Sequence, residues 1–240
     1  MTIRARPLTA LAALVLLGAA PLGTRPAAAA EPPTCFGLAA TMVGTDGDDA
    51  LVGTQGPDVF VGLGGADTLT GLGGDDHICA GDGLDVLMGG AGADLVSGGP
   101  GDDRVNGGNG PDTVRGGGGD DVLEPDDNVD RVIGGSGVDT VNYEHDVTGR
   151  GVELHRKQVI VDLAAGTATG GFGRDRLSGV ENVVSGNGRD VLRGDAGPNV
   201  LRGHGGVDVL AGRAGVDVLF GGAKPDRCTS PSTGPLAHSC

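Results

Sequence analysis

The sequence predicts an all-β fold, a parallel β-roll whose coils fall into two blocks separated by a non-repeat β segment. Residues 44–142 divide into eleven consecutive nonapeptides without an insertion. The sixth position of every nonapeptide is Asp and the eighth is apolar, while the fourth is Gly in ten of the eleven. Because so short a repeat cannot bury its apolar residue alone, successive repeats must stack on one another to form a core.

Each nonapeptide is interpreted as a turn followed by a short strand. Positions one to six are rich in Gly, which adopts left-handed backbone angles without a side-chain clash, and Asn128 replaces Gly at position four of the tenth repeat. Positions seven to nine are expected to form a three-residue strand, in which position eight points inward and its neighbours point outward. Two nonapeptides then complete one coil, so residues eighteen apart stack on the same side.

This stacking places the position-six carboxylates in columns. Two unit charges one strand spacing apart, about 4.8 Å, repel by roughly 3.5 kcal/mol at an effective dielectric of about 20. Residues 44–142 contain 20 Asp and Glu against 3 Arg, a net charge of −17. A divalent ion between each repeat i and repeat i+2 gives at most nine sites in this block, enough to neutralise it. Oxygen ligands without nearby Cys or His favour Ca²⁺ over zinc or copper, and Mg²⁺ fits less well because it requires octahedral geometry.

The repeat resumes with five nonapeptides over residues 185–229, after a break in register. Asn199 replaces Asp in this second block, and Pro125 opens a tenth turn that has lost its Gly pattern. We therefore expect weak calcium binding at Asn199, a distorted tenth turn, and weak binding at Asp130. The candidate calcium ligands are the sixteen residues at position six: Asp49, Asp58, Asp67, Asp76, Asp85, Asp94, Asp103, Asp112, Asp121, Asp130, Asp139, Asp190, Asn199, Asp208, Asp217 and Asp226.

The repeat resembles a known family. GGAGADLVS (89–97) and GGPGDDRVN (98–106) follow the pattern G-G-x-G-x-D-x-U-x, which resembles the RTX (haemolysin-type) calcium-binding repeat. The stretch CFGLAATMVGT (35–45) is similar to the opening of secreted actinobacterial members, and residues 161–186 resemble the flank before a fresh repeat block. The resemblance implies that backbone carbonyls of the Gly-rich turns complete the ligand shell of each ion.

The N-terminus is typical of a secretory signal peptide. Arg4 and Arg6 precede an apolar stretch, residues 8–20, that is too short to span a bilayer as a helix, and Ala28–Ala30 fits a cleavage site. A retained membrane anchor is the alternative. The predicted organisation is a signal peptide (1–30), an N-terminal capping segment (31–43), a first roll block (44–142), a non-repeat β segment (143–184), a second roll block (185–229) and a C-terminal tail (230–240).

Four Cys behind a signal peptide predict two disulfides in an oxidising compartment, with three possible connectivities. Pairing Cys228 with Cys240 would fasten the polar tail and would leave Cys35 with Cys79. That second pair is geometrically awkward, because the two residues are two coils plus eight residues apart. A continuous roll would place them on different faces, so the bridge requires the N-terminal segment to fold back.

The net charge of the chain and the motifs that it lacks disfavour several classes of partner and function. Without residues 1–30 the chain carries 14 Lys and Arg against 32 Asp and Glu, a net charge of −18, which argues against nucleic acid or anionic membranes as partners. The sequence has no H-E-x-x-H motif, and the repeats and flanks fill nearly all of the expected mature chain. Pore formation is disfavoured because no segment suits stable membrane insertion.

We therefore expect a secreted, non-enzymatic protein that binds several Ca²⁺ ions and folds on binding, in a structural or cell-surface role. A calcium-dependent adhesin or matrix protein, with an unidentified surface partner, remains open. A module of an extracellular hydrolase or epimerase is less favoured. Without calcium, a disordered acidic chain is the expectation.

Overall fold

A computed structural model describes residues 31–126, 128–144, 157–171, 173–230 and 238–240. The expected signal peptide, residues 1–30, lies outside these ranges, and Pro32–Cys240 forms one compact unit. The described residues contain no helix long and apolar enough to cross a membrane. Their strands are β1 (Thr34–Cys35), β2 (Leu38–Ala39), β3 (Met42–Val43), β4 (Ala50–Val52), β5 (Val59–Gly64), β6 (Thr68–Gly73), β7 (His77–Asp82), β8 (Val86–Ala91), β9 (Leu95–Pro100), β10 (Arg104–Asn109), β11 (Thr113–Gly118), β12 (Val122–Glu124), β13 (Arg131–Ser136), β14 (Thr140–Asn142), β15 (Val159–Asp162), β16 (Thr167–Gly170), β17 (Gly173–Ser178), β18 (Asn182–Val184), β19 (Val191–Arg193), β20 (Val200–Arg202), β21 (Val209–Ala211), β22 (Val218–Phe220), β23 (Arg227–Thr229) and β24 (His238–Ser239).

Parallel pairing between strands eighteen residues apart builds a roll. In β10, Val105 lies opposite Leu87 of β8 on one side and Leu123 of β12 on the other. Strands from alternate nonapeptides enter two different sheets, which in the described part of the chain have ten and twelve strands. The register confirms the predicted parallel β-roll with two nonapeptides per coil.

The core is a row of inward-facing residues, one from each repeat. Position eight is fully or almost fully buried through the middle of both blocks, and Leu51 and Cys228 at the ends are half-buried. Burying a Val or Leu side chain stabilises a fold by about 1.5–3 kcal/mol, and each coil contributes two such residues. The buried position-eight residues are Phe60, Leu69, Ile78, Leu87, Val96, Val105, Val114, Leu123, Val132, Val141, Leu192, Leu201, Leu210 and Leu219.

Most strands of the first block are longer than the three residues that the repeat predicts. Strand β9 runs from position seven of one nonapeptide to position three of the next. Backbone groups pair along this extension, where the Gly101 N–H donates to the Gly118 carbonyl over 2.6 Å. The prediction that positions one to six form a turn is therefore wrong for these repeats, in which the chain turns at positions four to six. The predicted length holds in the second block, for example in β20.

Two different constraints explain the Gly pattern of the turns. From the third repeat of the first block to its end, position four has a positive φ, 140° at Gly101, and the substitute Asn128 holds 123°. Position one is limited by space instead, because a Cβ on Gly53 would lie 2.6 Å from the carbonyl oxygen of the stacked Gly71. Position two also has a positive φ in most of these repeats, 126° at Gly99, and in the tenth turn Asp126 holds 62° there.

The N-terminal segment folds back over the outer face of the twelve-stranded sheet. Strands β1 and β2 form an antiparallel hairpin, and β3 then joins the end of that sheet beside β5. The Phe36 ring lies 6.0 Å from the His77 ring, and the Arg115 guanidinium lies 5.3 Å from Phe36. This reversal brings Cys35 beside Cys79, and the two form a disulfide. The N-terminal segment therefore folds back, as the sequence analysis required for this bridge.

The non-repeat segment continues both sheets instead of interrupting them. Strand β17 stacks on β13, with Leu177 opposite Val132, and β18 stacks on β14, with Val183 opposite Val141. Strands β15 and β16 enter the twelve-stranded sheet as an antiparallel insertion between β17 and β19. The ten-stranded sheet passes directly from β18 to β20. The two roll blocks therefore share both sheets.

The C-terminal end is fastened by the second disulfide. Cys228 at position eight of the last repeat is bonded to Cys240, and β24 pairs with β22 at the end of the ten-stranded sheet. Residues 231–237 between them lie outside the described part of the chain.

Candidate metal centre

The position-six residues stack in two columns, one along each edge of the roll. The backbone N–H of Asp85 donates to Oδ1 of Asp103 over 2.9 Å, and the N–H of Asp103 donates to Oδ1 of Asp121 over 2.9 Å. The same bond links each successive pair through the first block. One column holds Asp49, Asp67, Asp85, Asp103, Asp121 and Asp139, and the other holds Asp58, Asp76, Asp94, Asp112 and Asp130.

The second carboxylate oxygen of most of these residues is buried without a hydrogen bond. Because a buried unsatisfied acceptor costs about 1–3 kcal/mol, and more when it is charged, such oxygens rarely recur in a folded protein. Here they recur at regular intervals along both edges. Among described position-six residues, the Oδ2 atoms that accept no hydrogen bond belong to Asp67, Asp76, Asp85, Asp94, Asp103, Asp112, Asp121, Asp130, Asp139, Asp190, Asp208 and Asp226.

A backbone carbonyl oxygen lies beside many of these orphaned oxygens. The space next to the α-carbon of Gly89 is bordered by the Asp94 Oδ2 and the Gly107 carbonyl oxygen. Gly62 is bordered in the same way by Asp67 and the carbonyl of Ala80. Two oxygen acceptors that converge without a donor leave a place that suits a cation, and a Cβ at position one would fill it.

The local electrostatics also favour a cation. Burial raises the pKa of Asp103 and Asp112 to about 7, although a backbone N–H partly opposes the shift in each case. Burial likewise raises the pKa of Asp130 to about 8, with repulsion from Asp175 and Asp112 adding to it. A bound cation would remove this penalty on the charged form.

Side chains alone do not complete these sites. Within the described residues, no three His, Cys, Asp or Glu side chains are grouped closely enough to hold a metal ion. A metal here must therefore take backbone carbonyls as well as carboxylates, a hard, all-oxygen donor set that fits Ca²⁺.

Four position-six residues differ because a local donor already occupies the second polar atom. Oδ2 of Asp49 accepts the N–H and hydroxyl of Thr45, and Oδ2 of Asp58 accepts those of Thr54. Oδ1 of Asn199, which lies beside Gly194, accepts the Asp195 N–H at 2.8 Å, while its Nδ2 donates to the Glu181 carbonyl at 2.8 Å. Oδ2 of Asp217 accepts the Ser230 hydroxyl at 3.3 Å. These coils have less need of an ion than the others.

Sequence reasoning missed two carboxylates of the non-repeat segment that join the columns. The N–H of Asp130 donates to Oδ1 of Asp175 over 3.1 Å, and the N–H of Asp139 donates to Oε2 of Glu181 over 2.8 Å. Oδ2 of Asp175 also accepts the buried Tyr143 hydroxyl at 2.8 Å. A signal was present, because Asp175 precedes Leu177, and Glu181 precedes Val183, by the two residues that separate positions six and eight.

Comparison with known families agrees with this geometry. A family model described as the RTX calcium-binding nonapeptide repeat matches residues 43–78, 80–114, 106–141 and 184–219. These segments cover more than half of the chain and both roll blocks. No curated protein matches the chain significantly.

Proposed function

The chain belongs to the RTX family of calcium-binding nonapeptide repeats, and from this premise we propose that it is a secreted protein whose roll folds as calcium binds. In this proposal the sixteen position-six residues supply the side-chain ligands, and backbone carbonyls of the turns complete each shell. The coils with an orphaned Oδ2 bind most strongly, except that of Asp130, whose turn lacks the Gly pattern. The coils of Asp49, Asp58, Asn199 and Asp217 bind weakly, because a local hydrogen-bond donor already serves those side chains.

The observation that supports this proposal most strongly is the regular series of buried, unpaired Oδ2 atoms. Each costs about 1–3 kcal/mol, while the net stability of a domain is about 5–15 kcal/mol. A few such oxygens left without a cation would therefore unfold the roll. Because the unfolded chain has no preformed sites, the free energy of calcium binding becomes free energy of folding.

Secretion explains when folding occurs. The N-terminal segment that resembles a signal peptide would direct the chain out of the calcium-poor cytoplasm, and the two disulfides suit an oxidising compartment. The β-roll is a structural calcium-binding fold, and we propose a non-enzymatic structural or cell-surface role for this chain. Mass spectrometry of the secreted protein should find a mature N-terminus within a few residues of Glu31, and recovery of the full-length chain in membranes would refute secretion.

A calcium titration of the mature protein tests the mechanism. Far-UV circular dichroism should change cooperatively from a disordered to a β spectrum at roughly 10⁻⁴ to 10⁻³ M calcium, the range of extracellular modules. Magnesium at the same concentration should produce a much smaller change. A full β spectrum in excess chelator at neutral pH would refute ion-coupled folding.

A further inference from the structure

The end of the first roll block contains an unpaired acceptor where no nonapeptide follows to complete a site. Asp139 is fully buried, its Oδ2 accepts no hydrogen bond from the described residues, and its column continues into the non-repeat segment. In the earlier coils of this column, up to Asp121, the residue eighteen positions later lies above such an oxygen. Above Asp139 the chain supplies residues 179–183 instead.

These residues reproduce the oxygen donors of a repeat turn. The Gly179 carbonyl oxygen and the Asp139 Oδ2 converge beside the α-carbon of Gly134, where a Cβ would clash with both, as the Gly107 carbonyl and Asp94 do beside Gly89. The Glu181 side chain accepts the Asp139 N–H at 2.8 Å, the bond that a position-six Asp accepts in the other coils. Val183 then takes the inward position opposite Val141.

The replacement of Asp by Glu has a geometric reason. Val132 and Val141 are nine residues apart, whereas their partners Leu177 and Val183 are six apart, so this turn is three residues shorter. A shorter turn changes the distance from the main chain to the column. The additional methylene of Glu restores the reach to the Asp139 N–H.

We propose that Glu181 and the Gly179 carbonyl, from outside the nonapeptide repeats, complete a calcium site with Asp139. This inference rests on the proposed function and extends it to a site that closes the column at the junction of the two blocks. It means that the non-repeat segment is a calcium-binding part of the roll as well as a connection.

Three variants of the mature chain test separately the charge of residue 181, the length of its side chain, and the place from which a carboxylate is removed. Glu181→Gln keeps an acceptor for the Asp139 N–H but loses the charge, and Glu181→Asp keeps the charge but is one methylene shorter. Glu144→Gln is the matched control, because it removes one carboxylate near the junction from a half-exposed side chain that contacts His204. Circular dichroism in saturating calcium would establish that each variant retains the β spectrum.

Two measurements report on the site. Native mass spectrometry at a calcium concentration that saturates the native chain should show one ion fewer in both Glu181 variants and an unchanged count in Glu144→Gln. Tyr143 is the only tyrosine, the chain has no tryptophan, and the Tyr143 N–H donates to Val184 beside the site. Tyrosine-sensitised Tb³⁺ emission therefore reports ions at this junction, including any beside Asp175, which accepts the Tyr143 hydroxyl, and it should fall in part in the Glu181 variants but not in the control.

The outcomes distinguish this inference from the function on which it rests. A native chain that binds no calcium would refute both. A native chain that binds several ions, together with Glu181 variants of unchanged ion count and unchanged Tb³⁺ emission, would refute the site and leave the roll mechanism intact.

Discussion

Replacing Asp103 by Asn should change the stability of the roll in opposite directions with and without calcium. Oδ1 of Asp103 accepts the Asp85 N–H at 2.9 Å, and its Oδ2 is buried and unpaired. Asn keeps an acceptor for that N–H and places an amide donor where a cation would lie. Asn199 shows that an amide side chain fits at position six of this fold, where its Oδ1 accepts the Asp195 N–H and its Nδ2 donates to the Glu181 carbonyl.

The expected magnitudes follow from the lost and gained contacts. Without calcium, the substitution removes an unsatisfied buried acceptor, so the ion-free roll should gain about 1–3 kcal/mol. With calcium, a buried ion loses a charged partner, which costs about 3–5 kcal/mol and exceeds that gain. The calcium midpoint should therefore rise even though the ion-free roll becomes more stable.

Circular dichroism in two conditions would measure both effects. A calcium titration gives the midpoint, and a titration with a stabilising osmolyte such as trimethylamine oxide in excess chelator compares the ion-free rolls. Asp58→Asn is the control, because Oδ2 of Asp58 already accepts the Thr54 N–H at 2.7 Å. It should gain no stability in chelator. Asp103→Asn should fold at a lower osmolyte concentration than the native chain. If it needs as much osmolyte as the native chain, the unpaired oxygen is not the source of calcium dependence.

Three further predictions concern the pH dependence of stability, a side chain added at position one, and the relative importance of two calcium ligands. Since burial raises the folded-state pKa of Asp103 to about 7 and of Asp130 to about 8 from 3.8, the ion-free roll binds more protons than the unfolded chain. Its stability in chelator should thus be greatest near pH 4 and fall as the pH rises to 8, as osmolyte titrations across this range would measure; a pH-independent stability of the ion-free roll would contradict this. Gly89→Ala should raise the calcium midpoint, because its Cβ would lie 2.5 Å from Oδ2 of Asp94, whereas Gly64→Ala, with 3.5 Å to its nearest neighbour, should not. Asp130→Ala should raise the midpoint less than Asp103→Ala, because Asp130 follows the turn of Pro125, where the Gly pattern is lost, and equal shifts in calcium titrations would argue against this ranking.

The repeat itself could be predicted because its requirements are local and periodic. One inward residue and one carboxylate recur at fixed positions in every nonapeptide, so the register of Val105 with Leu87 and Leu123 follows from the period. The strand extension in the first block could not be foreseen, since Gly-rich positions such as Gly99 carry no strand signal. Their pairing depends on how closely two backbones approach once the coils have stacked.

The junction was missed for a different physical reason. A period detects turns of equal length, and the turn before Val183 is three residues shorter than that of a repeat. Glu181 and Asp175 still precede the next inward residue by two positions. A search for residues at multiples of nine misses them, because the shorter turn shifts them out of the nonapeptide register. The fold-back that joins Cys35 to Cys79 depends likewise on a chain reversal that the repeat does not encode.

The hydrogen bonds between coils give the roll a polarity. In each column the backbone N–H of one coil holds the carboxylate of the coil that follows it in sequence, as Asp85 holds Asp103. A formed coil is therefore a template for the ligand of the next coil toward the C-terminus. The Cys35–Cys79 disulfide ties the N-terminal hairpin to the first coils and restricts the unfolded chain at the starting end. Growth from that end matches the order in which a chain exported N-terminus first would meet calcium.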